Sequence, residues 1–103
     1  MINSVNILGI HFAVEYVEHI DEATEPSGIT IPEQTKIQIR RDLSPQFKML
    51  TLLHECVHAG QVVLCLDFAG DGEQVADSLA LFIYNLYRDN PDLIDEIRGN
   101  NEN

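Results

Sequence analysis

The chain has 103 residues and a formal net charge of -11, with 6 Lys and Arg against 17 Asp and Glu. Its length and 45% hydrophobic content predict a single globular domain, residues 1–103, with a modest core. The few basic residues argue against direct binding of nucleic acid, and the absence of a long apolar run argues against a membrane span or a signal peptide, so a cytoplasmic location is expected.

Residues 1–40 have the composition of β-strands. Residues 5–8 and 11–17 are rich in β-branched and aromatic side chains and flank Gly9, which predicts a hairpin. Residues 29–31 and 36–40 predict a second hairpin. Polar and apolar residues alternate in its second strand, so we expect one buried face and a position at a sheet edge.

From Ser44 onward the sequence has a helical period. Ser44 is a favourable N-cap, Pro45 is a favourable first helical residue, and residues 47–66 are largely apolar and contain no proline. This predicts a long helix that is central to the fold. Cys56 and Cys65 both fall on it, too far apart to form a disulfide, and we expect both to be small core residues.

Two further helices are predicted after a glycine-rich linker. Asp71 and Gln74 have the spacing of a capping box, which indicates a helix over residues 73–88. Pro91 indicates the start of a short third helix, and Gly99 its end. The predicted fold is therefore α+β: a small N-terminal sheet of two hairpins, two long helices and a short C-terminal helix.

The sequence His-Glu-Cys-Val-His in the first helix is the strongest chemical signal. His54 and His58, at i and i+4, lie on one helical face, where two imidazoles can bind one metal ion. Glu55 then lies beside the metal and can accept a proton from its water. A lone histidine in an apolar helix is more often a hydrogen-bonded core residue. Two histidines and a carboxylate buried without partners would cost several kcal/mol, which favours a shared Zn²⁺ ion.

A catalytic zinc ion needs a third protein ligand and an open position for water. Four acidic residues after the motif are candidates: Asp67, Asp71, Glu73 and Asp77. We favour Glu73, because an antiparallel second helix would bring its first turn beside the histidines. Asp77, one turn later, could accept a hydrogen bond from a ligand histidine. Otherwise Glu73 simply stabilises the helix start and Asp77 is a solvated surface residue.

The motif followed by a helix with Glu73 and Asp77 resembles the gluzincin pattern of zinc metallopeptidases. The compact layout of residues 29–87 is similar to small phage and mobile-element peptidases, including the catalytic core of the ImmA/IrrE family. The resemblance implies a zincin-like domain in which His54, His58 and Glu73 bind zinc. It also implies that Glu55 is the general base and that Asp77 supports a ligand.

The leading hypothesis is therefore a zinc-dependent metalloendopeptidase, a hydrolase of peptide or protein substrates. Substrate would lie along a strand edge near residues 36–40. Tyr84 continues the face of Glu73 and Asp77 and is a candidate oxyanion donor, although core packing or a surface position would also account for a tyrosine there.

Two alternative functions remain open. One is a zinc-binding interaction protein without turnover, and the other is a latent enzyme whose site is covered by residues 92–96.

Overall fold

A computed structural model of the chain describes residues 1–21, 23–65, 67 and 69–99. It contains one four-stranded sheet and three helices, which confirms the predicted α+β class. The elements in chain order are β1 (Ser4–Ile7), β2 (Ile10–Val17), β3 (Gly28–Ile31), a short 3-10 helix (Pro32–Gln34), β4 (Lys36–Arg40), α1 (Pro45–Leu64), α2 (Gly72–Asp89) and α3 (Pro91–Arg98). Within the described ranges, no helix combines the length and the apolar character needed to cross a bilayer.

Both predicted hairpins are confirmed, but their arrangement in the sheet was not predicted. β1 pairs with β2 and β3 with β4, each antiparallel, while β2 and β4 pair in parallel. The strand order is β1-β2-β4-β3, so the expectation that residues 36–40 form a sheet edge is wrong. The alternation in β4 arises because the helices cover only one face of the sheet. β3 is the edge strand on that side.

The core lies between one face of the sheet and the helices. α1 contacts β1, β3 and β4, and α2 contacts β1 and α3. The sheet side and the helix side both contribute apolar residues to this core. They are Ile2, Val5, Ile7, Phe12, Val14, Ile37, Ile39, Leu52, Cys56, Ala59, Phe82 and Leu93.

α1 begins as predicted and ends earlier than predicted. The hydroxyl of Ser44 accepts a hydrogen bond from the backbone N–H of Phe47 at 3.2 Å. The helix ends at residue 64, and Cys65 follows in the left-handed conformation with φ 53°. Cys56 is buried as expected, whereas Cys65 is exposed, so its assignment to the core is wrong. Cys65 follows the last helical turn, where the left-handed backbone ends the helix and leaves the side chain exposed.

α2 begins with the predicted capping box between Asp71 and Gln74. At its other end the buried side chain of Asn90, between α2 and α3, contacts β1. The Asn90 Oδ1 accepts a hydrogen bond from the backbone N–H of Asn6 at 2.7 Å, and its Nδ2 donates to the Asn6 carbonyl at 2.8 Å. This side chain therefore satisfies both backbone groups of one β1 residue and attaches the α2–α3 junction to the sheet. Gly99 ends α3 with φ 75°, as predicted.

Candidate metal centre

His54 and His58 lie side by side on α1. Their Nε2 atoms are 3.1 Å apart, and their rings are nearly perpendicular, with an interplanar angle of 75°. Two nitrogens bound to one tetrahedral zinc ion at 2.0–2.1 Å would be about 3.3 Å apart. In the structure this distance is that of an N–H···N hydrogen bond, in which one of the two nitrogens carries a proton. Once that proton is lost, the pair has nearly the spacing of two ligands of one ion.

The histidines are exposed, which contradicts part of the reasoning from sequence. The side chain of His54 is 67% exposed, so no cost of burial requires a metal partner. α1 faces the sheet through Leu52, Cys56 and Ala59, and the histidines project from another side of the helix. Their mutual spacing, rather than their burial, supports a metal centre.

Glu55, in contrast, is buried, with 6% of its surface exposed. Its Oε1 accepts a hydrogen bond from the Thr30 hydroxyl at 2.8 Å, and its Oε2 lies 4.0 Å from His54 Nε2. One carboxylate oxygen is thus held by β3 while the other lies on the side of His54. Thr30 was not identified from the sequence, because its contact with Glu55 depends on how α1 lies across β3.

Gly28 allows this close contact between α1 and β3. A Cβ atom at position 28 would lie 2.6 Å from the Thr51 Cγ2 and 3.3 Å from the Glu55 Cγ. Real Cβ atoms do not approach neighbours as closely as 2.6 Å. A side chain at this position would therefore push the helix segment that carries the motif away from the strand.

Gln61 is a second residue that sequence reasoning missed. Its Oε1 is 3.2 Å from the Nδ1 of His58. If Nδ1 carries the proton and donates to Gln61, Nε2 carries a lone pair, which in the structure faces His54 Nε2. The i to i+3 spacing on one helix was the available signal, since such residues are neighbours on the helix surface. Gln61 thus makes the kind of contact with a histidine ring that was expected of Asp77.

The predicted third ligand is not brought to the histidines. In the part of the chain that the structure describes, no group of three or more His, Cys, Asp or Glu side chains could hold a metal ion. Glu73 and Asp77 are exposed on α2, whose main contacts are with β1 and α3. Asp71 accepts the capping hydrogen bond of Gln74 at 3.0 Å, and Asp67 accepts one from the backbone N–H of Ala69 at 2.9 Å.

A cleft of about 370 Å³ lies beside Glu55. Its lining includes His54 and Glu55 and the apolar side chains of Pro26, Phe47 and Leu50. Phe47 is 50% and Leu50 61% exposed, which leaves apolar surface open beside the carboxylate.

Two other parts of the chain that were given roles from the sequence lie away from this cleft. Tyr84 lines a separate groove between α2 and α3, with the Arg88 guanidinium 5.3 Å from its ring centroid. Residues 92–96 lie in α3, and among the described residues none of them lines the cleft beside Glu55. The structure therefore brings together His54, Glu55 and His58, and it adds Thr30 and Gln61 to them.

Comparisons with protein-family models, with curated proteins and with solved structures found no match to this chain. The chemistry of the site therefore rests on the chain's own residues.

Proposed function

We propose that the protein is a zinc-dependent metalloendopeptidase that hydrolyses peptide bonds. One observation supports this above the others: two imidazole nitrogens lie 3.1 Å apart, and a buried carboxylate oxygen lies 4.0 Å from one of them. A carboxylate at this place, beside an open cleft, is suited to take a proton from an attacking water.

The two histidines fit two of the ligand positions of a zinc ion, and the third position has to be supplied from elsewhere in the chain. Imidazole nitrogen and carboxylate oxygen are ligands that zinc prefers, and the spacing of the histidine nitrogens is within about 0.3 Å of the tetrahedral value. When bound, zinc would lower the pKa of a water molecule and polarise the scissile carbonyl. His54 and His58 would hold the ion through Nε2. Glu55 Oε2 would accept the proton of the attacking water and pass it to the leaving amine.

We retain Glu73 as the proposed third ligand. It lies in the exposed first turn of α2, so the zinc-bound state requires that turn to approach the histidine face of α1. Zinc content of the purified Glu73→Ala, Asp71→Ala and Asp77→Asn variants tests this assignment. Zinc should be lost from Glu73→Ala, whereas loss from Asp71→Ala alone would assign the third ligand to Asp71.

The substrate edge is reassigned from β4 to β3. β3 is paired on one side only, with β4, and carries Gly28 and Thr30 next to Glu55. An extended peptide could add to this edge through main-chain hydrogen bonds and lie across the cleft. The cytoplasmic location remains a prediction from sequence.

Glu55→Gln tests the proposed reaction. The variant should retain zinc and lose cleavage of a diverse peptide library by at least about 100-fold, because the amide cannot act as the base. Glu33→Gln is a matched control, since Glu33 is exposed in the 3-10 helix. Undiminished proteolysis by Glu55→Gln would refute the mechanism.

One observation favours a second function, a zinc-binding interaction protein without turnover. Across the described residues, the structure places two histidines together with no third metal ligand. In that case the zinc-loaded wild type would bind the ion and cleave no member of the library. The same experiment therefore separates the two functions.

A further inference from the structure

The carboxylate of Glu55 is held asymmetrically. The single proton of the Thr30 hydroxyl has two acceptors within reach, Oε1 at 2.8 Å and the Glu55 backbone carbonyl oxygen at 3.0 Å, and Oε1 is the nearer one. Oε2, the other oxygen, is the one directed toward His54. A hydroxyl donating to a carboxylate forms a shorter and stronger bond than it forms with a neutral acceptor.

The backbone of β3 places Thr30 for this contact. Side chains two residues apart point to the same face of a strand, so Thr30 shares the helix-facing side with Gly28. Gly28 lets α1 approach closely, and the β-branched threonine has few χ1 alternatives, so the hydroxyl is held in place. Rotation of the Glu55 carboxylate would break the bond from Thr30.

We infer that Thr30 is a positioning residue, which holds Oε1 of Glu55 so that Oε2 is oriented for proton transfer. This inference rests on the proposed peptidase function and adds a residue from the sheet to it. Thr30 acts through Glu55 and does not itself contact the attacking water. A displacement of the base by about 1 Å can cost up to 100-fold in rate.

Two variants, Thr30→Val and Thr30→Ser, distinguish the effect of losing the hydroxyl from the effect of changing the shape of the side chain. Valine keeps the branched shape without the hydroxyl, and serine keeps the hydroxyl. We expect Thr30→Val to lower kcat about tenfold, with KM and zinc content unchanged, since the lost bond orients the base only. Thr30→Ser should stay within about threefold of wild type. Thr24→Val, at an exposed turn residue, is the control for a threonine change elsewhere.

A double-mutant cycle in urea tests the contact without any turnover. Circular dichroism gives the unfolding midpoints of four proteins: wild type, Thr30→Val, Glu55→Ala and the double variant. If the two side chains interact, the double variant should lose less stability than the two single variants lose together. Additive losses would overturn the inference whatever the activity.

The kinetic outcomes are equally decisive. One outcome is that the unfolding midpoints show an interaction between Thr30 and Glu55 while kcat is unchanged in Thr30→Val. That result would overturn the positioning role, and the contact would then be structural only. If zinc-loaded wild type cleaves no peptide, the proposed function fails, and Thr30 has no base to position. Loss of kcat in Thr30→Val with recovery in Thr30→Ser supports the inference.

Discussion

Gly28→Ala should weaken the contact between α1 and β3 without altering any chemical group of the site. The added Cβ would lie 2.6 Å from the Thr51 Cγ2, 3.1 Å from the Gln38 carbonyl oxygen and 3.3 Å from the Glu55 Cγ. Thr51 is buried, and the Gln38 oxygen belongs to the neighbouring strand, so neither can move away easily. The helix that carries the histidines must shift instead.

The size of the effect follows from two opposing contributions. Overpacking of a close contact costs about 1–3 kcal/mol. Alanine in place of glycine recovers about 0.4–1 kcal/mol, because the unfolded chain loses conformational freedom. The mid-range values of these contributions differ by about 1.3 kcal/mol, so we expect Gly28→Ala to lower the free energy of unfolding by about that amount, measured by urea denaturation.

Two further variants make the measurement specific. Thr51→Ser removes the Cγ2 atom that meets the new Cβ. In the wild-type background this change should lower the free energy of unfolding by about 1 kcal/mol. In the Gly28→Ala background it should leave the free energy of unfolding unchanged or raise it. Gly72→Ala is the matched glycine control, since a Cβ there meets nothing within 4 Å. It should leave stability unchanged or raise it. Additive losses in the Gly28→Ala/Thr51→Ser double variant, or full stability of Gly28→Ala, would refute the reasoning.

Three further predictions concern other parts of the chain. Asn90→Ala should lower the free energy of unfolding by about 1–3 kcal/mol in urea denaturation, because it leaves backbone groups of β1 without partners. Gln61→Leu should weaken zinc affinity by about tenfold in competition titrations, whereas Gln61→Glu should preserve it, because the residue orients the His58 ring. Burial, aided by the charge of Glu55, raises the pKa of the Cys56 thiol from 9.0 to about 12. A thiol reagent at pH 8 should therefore label exposed Cys65 in the native protein and Cys56 only on unfolding.

The raised pKa of Cys56 also sets the sign of a pH dependence. Between pH 9 and 12 the unfolded chain releases a thiol proton that the native state keeps, so the contribution of Cys56 to stability falls as pH rises. Cys56→Ala should lessen this loss of stability.

Each of the three predictions has an outcome that would contradict it. These outcomes are rapid labelling of native Cys56, an unchanged zinc affinity in Gln61→Leu and wild-type stability in Asn90→Ala.

Local features of the fold could be predicted from the sequence. The Ser44 cap, the capping box of Asp71 and Gln74 and the stop at Gly99 each depend on residues within a few positions of one another. The same is true of the two hairpins and of the histidine pair at i and i+4. In all these cases the interacting groups are close along the chain.

The features that could not be predicted depend on distant segments. The parallel pairing of β2 with β4 and the contact of Thr30 with Glu55 join residues more than 20 positions apart. The exposure of His54 depends on which side of α1 meets the sheet. An apolar helix gave no clear indication of that side, since Phe47 and Leu50 are also exposed.

The amide of Asn90 also makes the two outer strands of the sheet unequal. It occupies the outward N–H and C=O of Asn6, which a strand from another molecule would need in order to extend the sheet at β1. A strand added at β1 would first have to displace this amide from Asn6, which leaves β3, the side on which Glu55 lies, as the more accessible edge. The same asparagine that attaches the helices therefore protects the opposite margin from intermolecular β-pairing and reduces one route to aggregation.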